Sequence, residues 1–566
     1  MPASHPTEAS IWDLRKADLL SSLARPPQHS FFHTGRLTTL ASAPRRFPDR
    51  LLAESLAQMV NSVTGQKVLL VQMVPSETGA AAKVWNPLHS MPNNGFAFAE
   101  QLEHLVSFDR LTLRVTNQSA ERPFLSAVFG HCGRHFDQVL LLLDANAPRQ
   151  ALAEAVARSS ATYVLVQQTV DSLFEFNQLD RELRAARDGI KTDLKLLLCL
   201  EHGEVPQPAE DFIKQIGQPA HLNLHESPAN MDALHSHCGG VWPTAFKFDL
   251  RRLAREIGRC RVGLALSSGG AKGLAHVGVL QVLEENGIEV DVVAGTSMGA
   301  YIGALWAFGH DGQFLGRKAR ELEGKWGLLK LIDPAFPPRR GFIHGHAIRE
   351  RLERSIGDSR FEQLARPLHV VATRFDTLER VVFSTGQVSR AVHASCAIPS
   401  VFVPVQINGD TYVDGGVSDP LPVDVLREAG VERVIAVNII PTPAFLRCAR
   451  EHEREQVEVR RRGFSFLHLL NQQINYFAYG NILDVTQRAV IGGQIRAAED
   501  ACRQADVVLR PLACDSRWHD FSSPSKYISL GRRVAEENLA DIKQLVNRKE
   551  PAHEHQAPHH ELAAAA

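Results

Sequence analysis

Short runs of β-branched and leucine residues recur along the first half of the chain, at Val68 to Val71, Leu111 to Val115, Val139 to Leu143, Tyr163 to Val166 and Leu194 to Leu198. Between them lie stretches with helical spacing, such as Arg149 to Arg158. Apolar runs this short, without polar alternation, read as strands covered on both faces, and their alternation with helices predicts a parallel α/β sheet over residues 36–243. A second region repeats the pattern more tightly. Val262 to Leu266 is an apolar run; Leu274, Val277, Leu280 and Leu283 follow at helical spacing; Val290, Val292 and Val293 form another run; and Met298 to Phe308 is a small-residue apolar helix. Strand, helix, strand, helix makes a βαβα unit. Beyond Pro441 the pattern turns helical and charged: Arg450 to Arg462 mixes Glu and Arg, and Ile482 to Ala505 is helical before Val507 to Leu509 reads as an edge strand. The expected organisation is an extension at 1–35, an α/β domain at 36–243, a second α/β domain at 260–440, a mainly helical region at 441–548 and a disordered tail at 549–566.

Two glycine-rich turns interrupt the βαβα unit. Gly295-Thr296-Ser297-Met298-Gly299 has the G-x-S-x-G form of a nucleophile elbow, a sharp strand-to-helix bend that exposes a serine hydroxyl and needs small neighbours. The pentapeptide alone is weak, but its flanking strand and helix supply the context that the chemistry requires. Ser297 is the candidate nucleophile. One crossover earlier, Ser268-Gly269-Gly270-Ala271-Lys272-Gly273 joins a strand to a helix. Backbone N–H groups at such a turn attract an anion, either a phosphate or the oxyanion of acyl transfer. The phosphate reading lacks both G-x-x-x-x-G-K-[ST] and the spacing of G-x-G-x-x-G. A third turn, Val413-Asp414-Gly415-Gly416, supplies a carboxylate able to act as general base, although Asp-Gly-Gly is also an ordinary surface turn.

Together these residues resemble the patatin-like phospholipases, in the family's order and over residues 262–440, including Ala394 to Val405 and Asp419-Pro420-Leu421-Pro422. The resemblance implies a three-layer αβα catalytic domain with a Ser297/Asp414 dyad. Gly269 and Gly270 would form the oxyanion hole, with Lys272, Gly273, Gly295, Gly299, Gly415 and Gly416 as supporting motif positions. It further implies a phospholipid or lysophospholipid substrate, an acyl-serine intermediate and no cofactor. Two departures stand out: Ser268 replaces the usual first glycine of the loop, where a side chain reaches positive φ less freely, and Lys272 replaces the commoner arginine. The arrangement is similar to the neuropathy target esterase branch, in which an α/β region precedes the catalytic domain, but without that branch's cyclic-nucleotide-binding domains. The preceding domain is therefore expected to be Rossmann-like. It carries a degenerate P-loop-like stretch at Ser76 to Lys83, which lacks the first glycine and has Val84 where a magnesium-binding hydroxyl belongs; a scaffold or regulatory role is expected. Two other readings stay open: an α/β-hydrolase triad completed by His468 or His519, and an idle lipid-binding or regulatory module.

Composition narrows this further. A formal net charge of -1 over 566 residues offers no field for nucleic acid, and a polyanion partner is not expected. The start of the chain lacks the basic and apolar segments of a secretory signal, and eight cysteines without a C-x-x-C spacing read as reduced thiols, so a cytoplasmic protein is expected. His131, Cys132 and His135, and His235, His237 and Cys238, have only loose metal spacing, and no metal site is expected. The apolar stripe of Phe464, Phe466, Leu467, Leu470, Ile474 and Phe477 reads first as a core-facing helix. With Arg460, Arg461 and Arg462 beside it, its second reading is peripheral docking on an anionic membrane surface.

Overall fold

The structure is a computed structural model that describes residues 36–42, 49–75, 103–115, 129–130, 132–133, 135–143, 149–186, 194–226, 243–323, 333–460, 481–513, 520–521 and 523–548. The chain is mixed α/β and divides into two compact units. The first contains β1 (Arg36–Ser42), α1 (Asp49–Thr64), β2 (Val68–Pro75), β3 (Glu103–His104), β4 (Asp109–Val115), β5 (Gln138–Leu143), α2 (Arg149–Arg158) and β6 (Ala161–Gln167). Strands β3-β4-β2-β5-β1-β6 lie side by side in that order. All of these neighbours pair in parallel except β3 with β4. Every residue of β5, QVLLLL, is buried, as expected for a central strand with helices over both faces. β1 was not expected as a strand: its paired threonines, Thr38 and Thr39, break the apolar run, yet both are buried. The P-loop-like stretch at 76–83 lies outside the described residues. So do His131, the group at His235 to Cys238, the stripe at 464–477, and His468 and His519.

The second unit holds the paired parallel strands β7 (Leu194–Cys199) and β8 (Leu222–Leu224) and a larger mixed sheet. Its elements are β9 (Val262–Leu266), α3 (Ala275–Glu285), β10 (Val292–Thr296), α4 (Met298–Phe308), α5 (His346–Ile356), β11 (Leu368–Arg374), β12 (Arg380–Phe383), α6 (Val388–Ser395), β13 (Val405–Ile407), β14 (Asp410–Asp414), α7 (Val423–Glu428) and β15 (Arg433–Val437). They continue with α8 (Pro443–Arg460), α9 (Ile482–Cys502), β16 (Val507–Leu509), α10 (Pro524–Glu537) and α11 (Leu539–Val546). The sheet order is β13-β14-β11-β10-β9-β15-β16, with β12 also on β11. The centre is parallel, and β12, β13 and β14 run antiparallel at one side.

Alternation along β9 and β10 separates two cores. Val262, Leu264, Leu266 and Val293 face α3, α4 and the C-terminal helices, whereas Ala265, Val292 and Ala294 face α7 and α9. Tyr527, Ile528, Ala535, Ile542 and Leu545 belong to the first of these cores, so the helices after 441 complete the layer over the sheet. Five cysteines, at 132, 199, 260, 396 and 502, are buried free thiols. Cys448 is disulfide-bonded, and the expectation of uniformly reduced cysteines fails there. Spacing could not reveal it, because a single bridge depends on proximity in space and not on a motif.

Candidate active site

The parallel strands β9 and β10 end side by side, and each releases its chain into a tight turn above the sheet. After β10 the turn is Ser297 itself, with φ 56° and ψ −120°. A non-glycine residue reaches that conformation only where its surroundings impose it. Gly299 shows how they do so: a Cβ there would strike the Leu266 carbonyl, so the first turn of α4 lies directly against the end of β9. A Cβ at Gly295 would lie 2.6 Å from the Gly299 carbonyl oxygen, which closes the elbow from the other side. The Ser297 N–H donates to Ser395 Oγ at 2.8 Å, and Ser395 Oγ–H donates in turn to the Val371 carbonyl at 2.5 Å. Ser395, at the end of α6, thus fixes the backbone of the strained residue. It was missed as an individual residue, although it lies within the quoted stretch Ala394 to Val405.

Asp414 is the last residue of β14, which pairs with β11 beside β10. That placement brings its carboxylate over the elbow. The Ser297 hydroxyl donates to Asp414 Oδ2 at 2.6 Å, and the Gly416 N–H donates to Oδ1 at 2.7 Å. A Cβ on Gly415 would strike the Val371 carbonyl, and one on Gly416 would lie 2.7 Å from Gln494 Nε2, so the turn that aims the carboxylate is closely packed. Burial pushes the Asp414 carboxyl up to about 6, with the hydrogen bonds from Ser297 and Gly416 opposing the rise. Among the described residues no histidine bonds to Ser297 or Asp414, and both carboxylate oxygens already have donors. The triad reading, which places an imidazole between serine and acid, does not fit this geometry.

The glycine loop forms the facing wall. Gly270 has φ 58°, open to glycine at little cost, and a Cβ on Gly269 would lie 2.5 Å from Ile439 Cδ1. Gly273 meets the side chain of Met298, the residue after the elbow serine. Neither the Gly269 nor the Gly270 N–H donates to a protein acceptor among the described residues. The loop is held from beneath: Ser267 Oγ accepts the Ile439 N–H at 2.9 Å, and His276 Nε2–H donates to the Ser267 carbonyl at 3.0 Å. Burial lowers the His276 imidazole to about 4, and it is neutral at ordinary pH. Ser268 does not need positive φ, so the strain expected of it is absent; the glycines after it make the turn. Its N–H donates to the Pro420 carbonyl at 2.9 Å, and its buried hydroxyl, without a partner among the described residues, lines the site. Lys272 is buried, which lowers its ammonium to about 8.

These groups surround a cavity of about 60 Å³ walled also by Ile398, Pro399, Ile440 and, from α9, Val490, Ile491 and Gln494. Serine, buried carboxylate and glycine-loop amides without an acceptor among the described residues line it together, the set that acyl transfer through a serine uses. No group of three His, Cys, Asp or Glu among the described residues is arranged to hold a metal.

Residues 264–427 match the patatin-like phospholipase family, and the chain carries a patatin-like phospholipase domain there. Over 196 residues the chain is 35% identical to lysophospholipase nte1 of Aspergillus fumigatus, across 34% of this chain and 13% of that protein. It is 31% identical over 194 residues to lysophospholipase NTE1 of Saccharomyces cerevisiae, across 34% of this chain and 12% of that protein. An uncharacterized NTE family protein of Mycobacterium bovis is 37% identical over 179 residues, across 32% of this chain and 49% of that protein. The matched stretch thus spans half or less of each relative's own length. Among solved structures, the chain is similar to a ParA family ATPase from Chlorobium tepidum, at 14% identity over 39% of this chain and 98% of that one, with a TM-score of 0.31.

Proposed function

We propose that the protein is a serine lipid acyl hydrolase of the phospholipase or lysophospholipase type, which cleaves carboxylic esters through a Ser297/Asp414 dyad. The observation that carries this reading is the 2.6 Å hydrogen bond from the Ser297 hydroxyl to the buried Asp414 carboxylate, in a cavity also lined by Gly269 and Gly270, whose N–H groups have no acceptor among the described residues. Asp414 Oδ2 takes the proton as Ser297 Oγ attacks the ester carbonyl, a role typically worth about 100 to 10,000-fold in rate. The tetrahedral oxyanion is met by the two amide donors, worth on the order of 100 to 1,000-fold per donor. As the intermediate collapses, Asp414 returns the proton to the leaving alcohol, leaving an acyl-serine. Water then attacks with Asp414 again as base, and Ser297 is regenerated. Burial helps because a carboxylate desolvated until it titrates near 6 is a stronger base than one in water.

The similarity to lysophospholipases of two fungi supports a lipid ester as substrate. No helix among the described residues is long and apolar enough to cross a membrane, and we take contact with lipid to be peripheral. The test uses the full chain with a fluorophosphonate probe and lysophosphatidylcholine. Labelling is expected at Ser297, with release of fatty acid, and Ser297→Ala and Asp414→Asn are each expected to abolish turnover while circular dichroism stays unchanged. Turnover that survives both substitutions overturns the dyad; liposome binding with neither labelling nor turnover favours an idle lipid-binding module instead.

A further inference from the structure

A larger cavity, about 330 Å³, lies in the catalytic unit and shares no lining residue with the site of Ser297. That volume is at the lower end of the roughly 300 to 1,000 Å³ common for small-ligand sites. Its walls carry three arginines and three histidines: Arg340 on the loop before α5, His344, His346 and Arg349 at the start of α5, and Arg390 and His393 on α6. The His344 and His346 rings stack at 5.4 Å between centroids, and His346 meets His393 edge-on at 5.7 Å.

Acidic groups do little to neutralise this cluster. Both oxygens of Asp333 accept backbone N–H groups, from Gly345 and His346, each at 2.8 Å. The same carboxylate stands 3.9 Å from His346 Nδ1, and Glu353 stands 3.3 Å from Arg349 Nε. Arg390 reaches only the Gln406 carbonyl, at 3.5 Å, and Arg340 has no partner among the described residues. The end of α5 is therefore already capped by Asp333, and the donors without an acidic partner among the described residues are the guanidinium groups of Arg340 and Arg390, Arg349 being shared with Glu353. His393 Nε2 is turned to the His344 carbonyl at 3.1 Å, and the histidines are not arranged as a metal site.

We propose that this cavity binds a phosphate group, as the phosphomonoester of a lipid headgroup or of a soluble ester, apart from the catalytic centre. Guanidinium forks match phosphate oxygens two at a time, and three converging on one cavity favour a multiply charged ligand over a carboxylate. One neighbouring feature favours a lipid: Phe336, four positions before Arg340 on the same loop, is 93% exposed. The loop is tied down at its base by bridges from Ile343 to Pro334 and to Phe402. An exposed aromatic side chain on the loop that carries Arg340 is suited to the boundary of an anionic bilayer, where the ring enters the acyl region while the arginines take the headgroup.

The experiment uses the full chain with Ser297→Ala, so that no lipid is consumed. Calorimetry with glycerol 3-phosphate tests the soluble source. Sedimentation with phosphatidylcholine vesicles, containing either phosphatidic acid or phosphatidylglycerol at matched surface charge, tests the lipid. Binding to phosphatidic acid vesicles above phosphatidylglycerol is expected, weakened about tenfold or more by Arg340→Gln with Arg390→Gln, a size set by charge-assisted hydrogen bonds. Binding of glycerol 3-phosphate alone, lost in the same variant, supports the site with a soluble ligand. The single variants Arg340→Gln and Arg390→Gln, both at exposed side chains, carry the test if the double variant loses its circular dichroism. In the chain with Ser297 intact, fluorophosphonate labelling should not change in any of them, so failure here is distinct from failure of the dyad. No binding of either probe, equal binding to the two anionic vesicles, or binding untouched by the substitutions overturns the proposal.

Discussion

Asp414 sits at the point where burial and hydrogen bonding oppose each other, and the balance sets when the proposed dyad can work. Desolvation raises its carboxyl to about 6, and only the ionised form can take the Ser297 proton. For the free enzyme, kcat/KM should therefore fall tenfold per pH unit below about 6 and level off above it; a profile flat down to pH 4 would exclude Asp414 as the base. Ser395 presents a different case, because it touches no substrate and acts through the backbone of Ser297. Removing its hydroxyl leaves a buried N–H unpaired, at a cost of about 1 to 3 kcal/mol, in a residue already held at φ 56°. Ser395→Ala is expected to lower kcat about tenfold or more with little change in KM. An equal loss through KM alone would mean that Ser395 shapes the pocket and not the elbow. Ser297, Asp414 and the glycines were visible in the sequence because a turn's backbone demands appear as glycine at fixed offsets. Ser395 sent no such signal, for one hydroxyl in an apolar stretch shows its partners only when the chain folds.

At the scale of elements, α9 is the part of the site that has to move. Val490, Ile491 and Gln494 close a cavity of about 60 Å³, far below the roughly 300 Å³ at which small-ligand sites begin, and a lipid ester needs that wall displaced. Between these residues, on the exposed side of α9, lie Gly492 and Gly493, each with open space where a Cβ would go. Glycine inside a helix costs about 1 kcal/mol relative to alanine, and since nothing in the packing accounts for the pair, it is expected to let α9 bend. Gly492→Ala with Gly493→Ala should stiffen α9, raise the melting temperature by a few degrees and lower kcat with long-chain esters more than with a short, soluble ester. Equal rates on both substrates would rule out a moving α9. Element boundaries were readable where patterns were pure: β9 over Val262–Leu266, α4 over Met298–Phe308 and α2 over Arg149–Arg158 coincide with the apolar runs and helical spacing. They were not readable at β1, whose buried threonines imitate a turn, or at the three-residue β8, which is too short to show a period.

Over the whole chain, local patterns reveal the glycine turns of the candidate site but not which distant segments complete a core. The basic cavity draws Arg340, Arg349 and Arg390 from three elements, and no window of the sequence holds it. The C-terminal quarter raises the same difficulty more sharply, because the matched family region stops at residue 427 while the sheet and its cover run on. β16 pairs in parallel with β15, its Leu509 fully buried. Tyr527, Ile528, Ala535, Ile542 and Leu545 fill the core beneath α3 and α4, and Arg433 Nη1 donates to the Val546 carbonyl at 2.8 Å. Burial of a large apolar side chain contributes about 1.5 to 3 kcal/mol, so these residues together are worth on the order of 10 kcal/mol, comparable with the whole stability of a typical domain. A chain ended after Ile440 would keep Ser297, Asp414 and both glycine turns yet expose that surface and leave β15 as a bare edge. Such a chain should be insoluble or bind hydrophobic dyes, without a cooperative thermal transition and without fluorophosphonate labelling. A soluble, cooperatively melting and labelled product would show instead that the C-terminal helices are an addition to a core that stands without them.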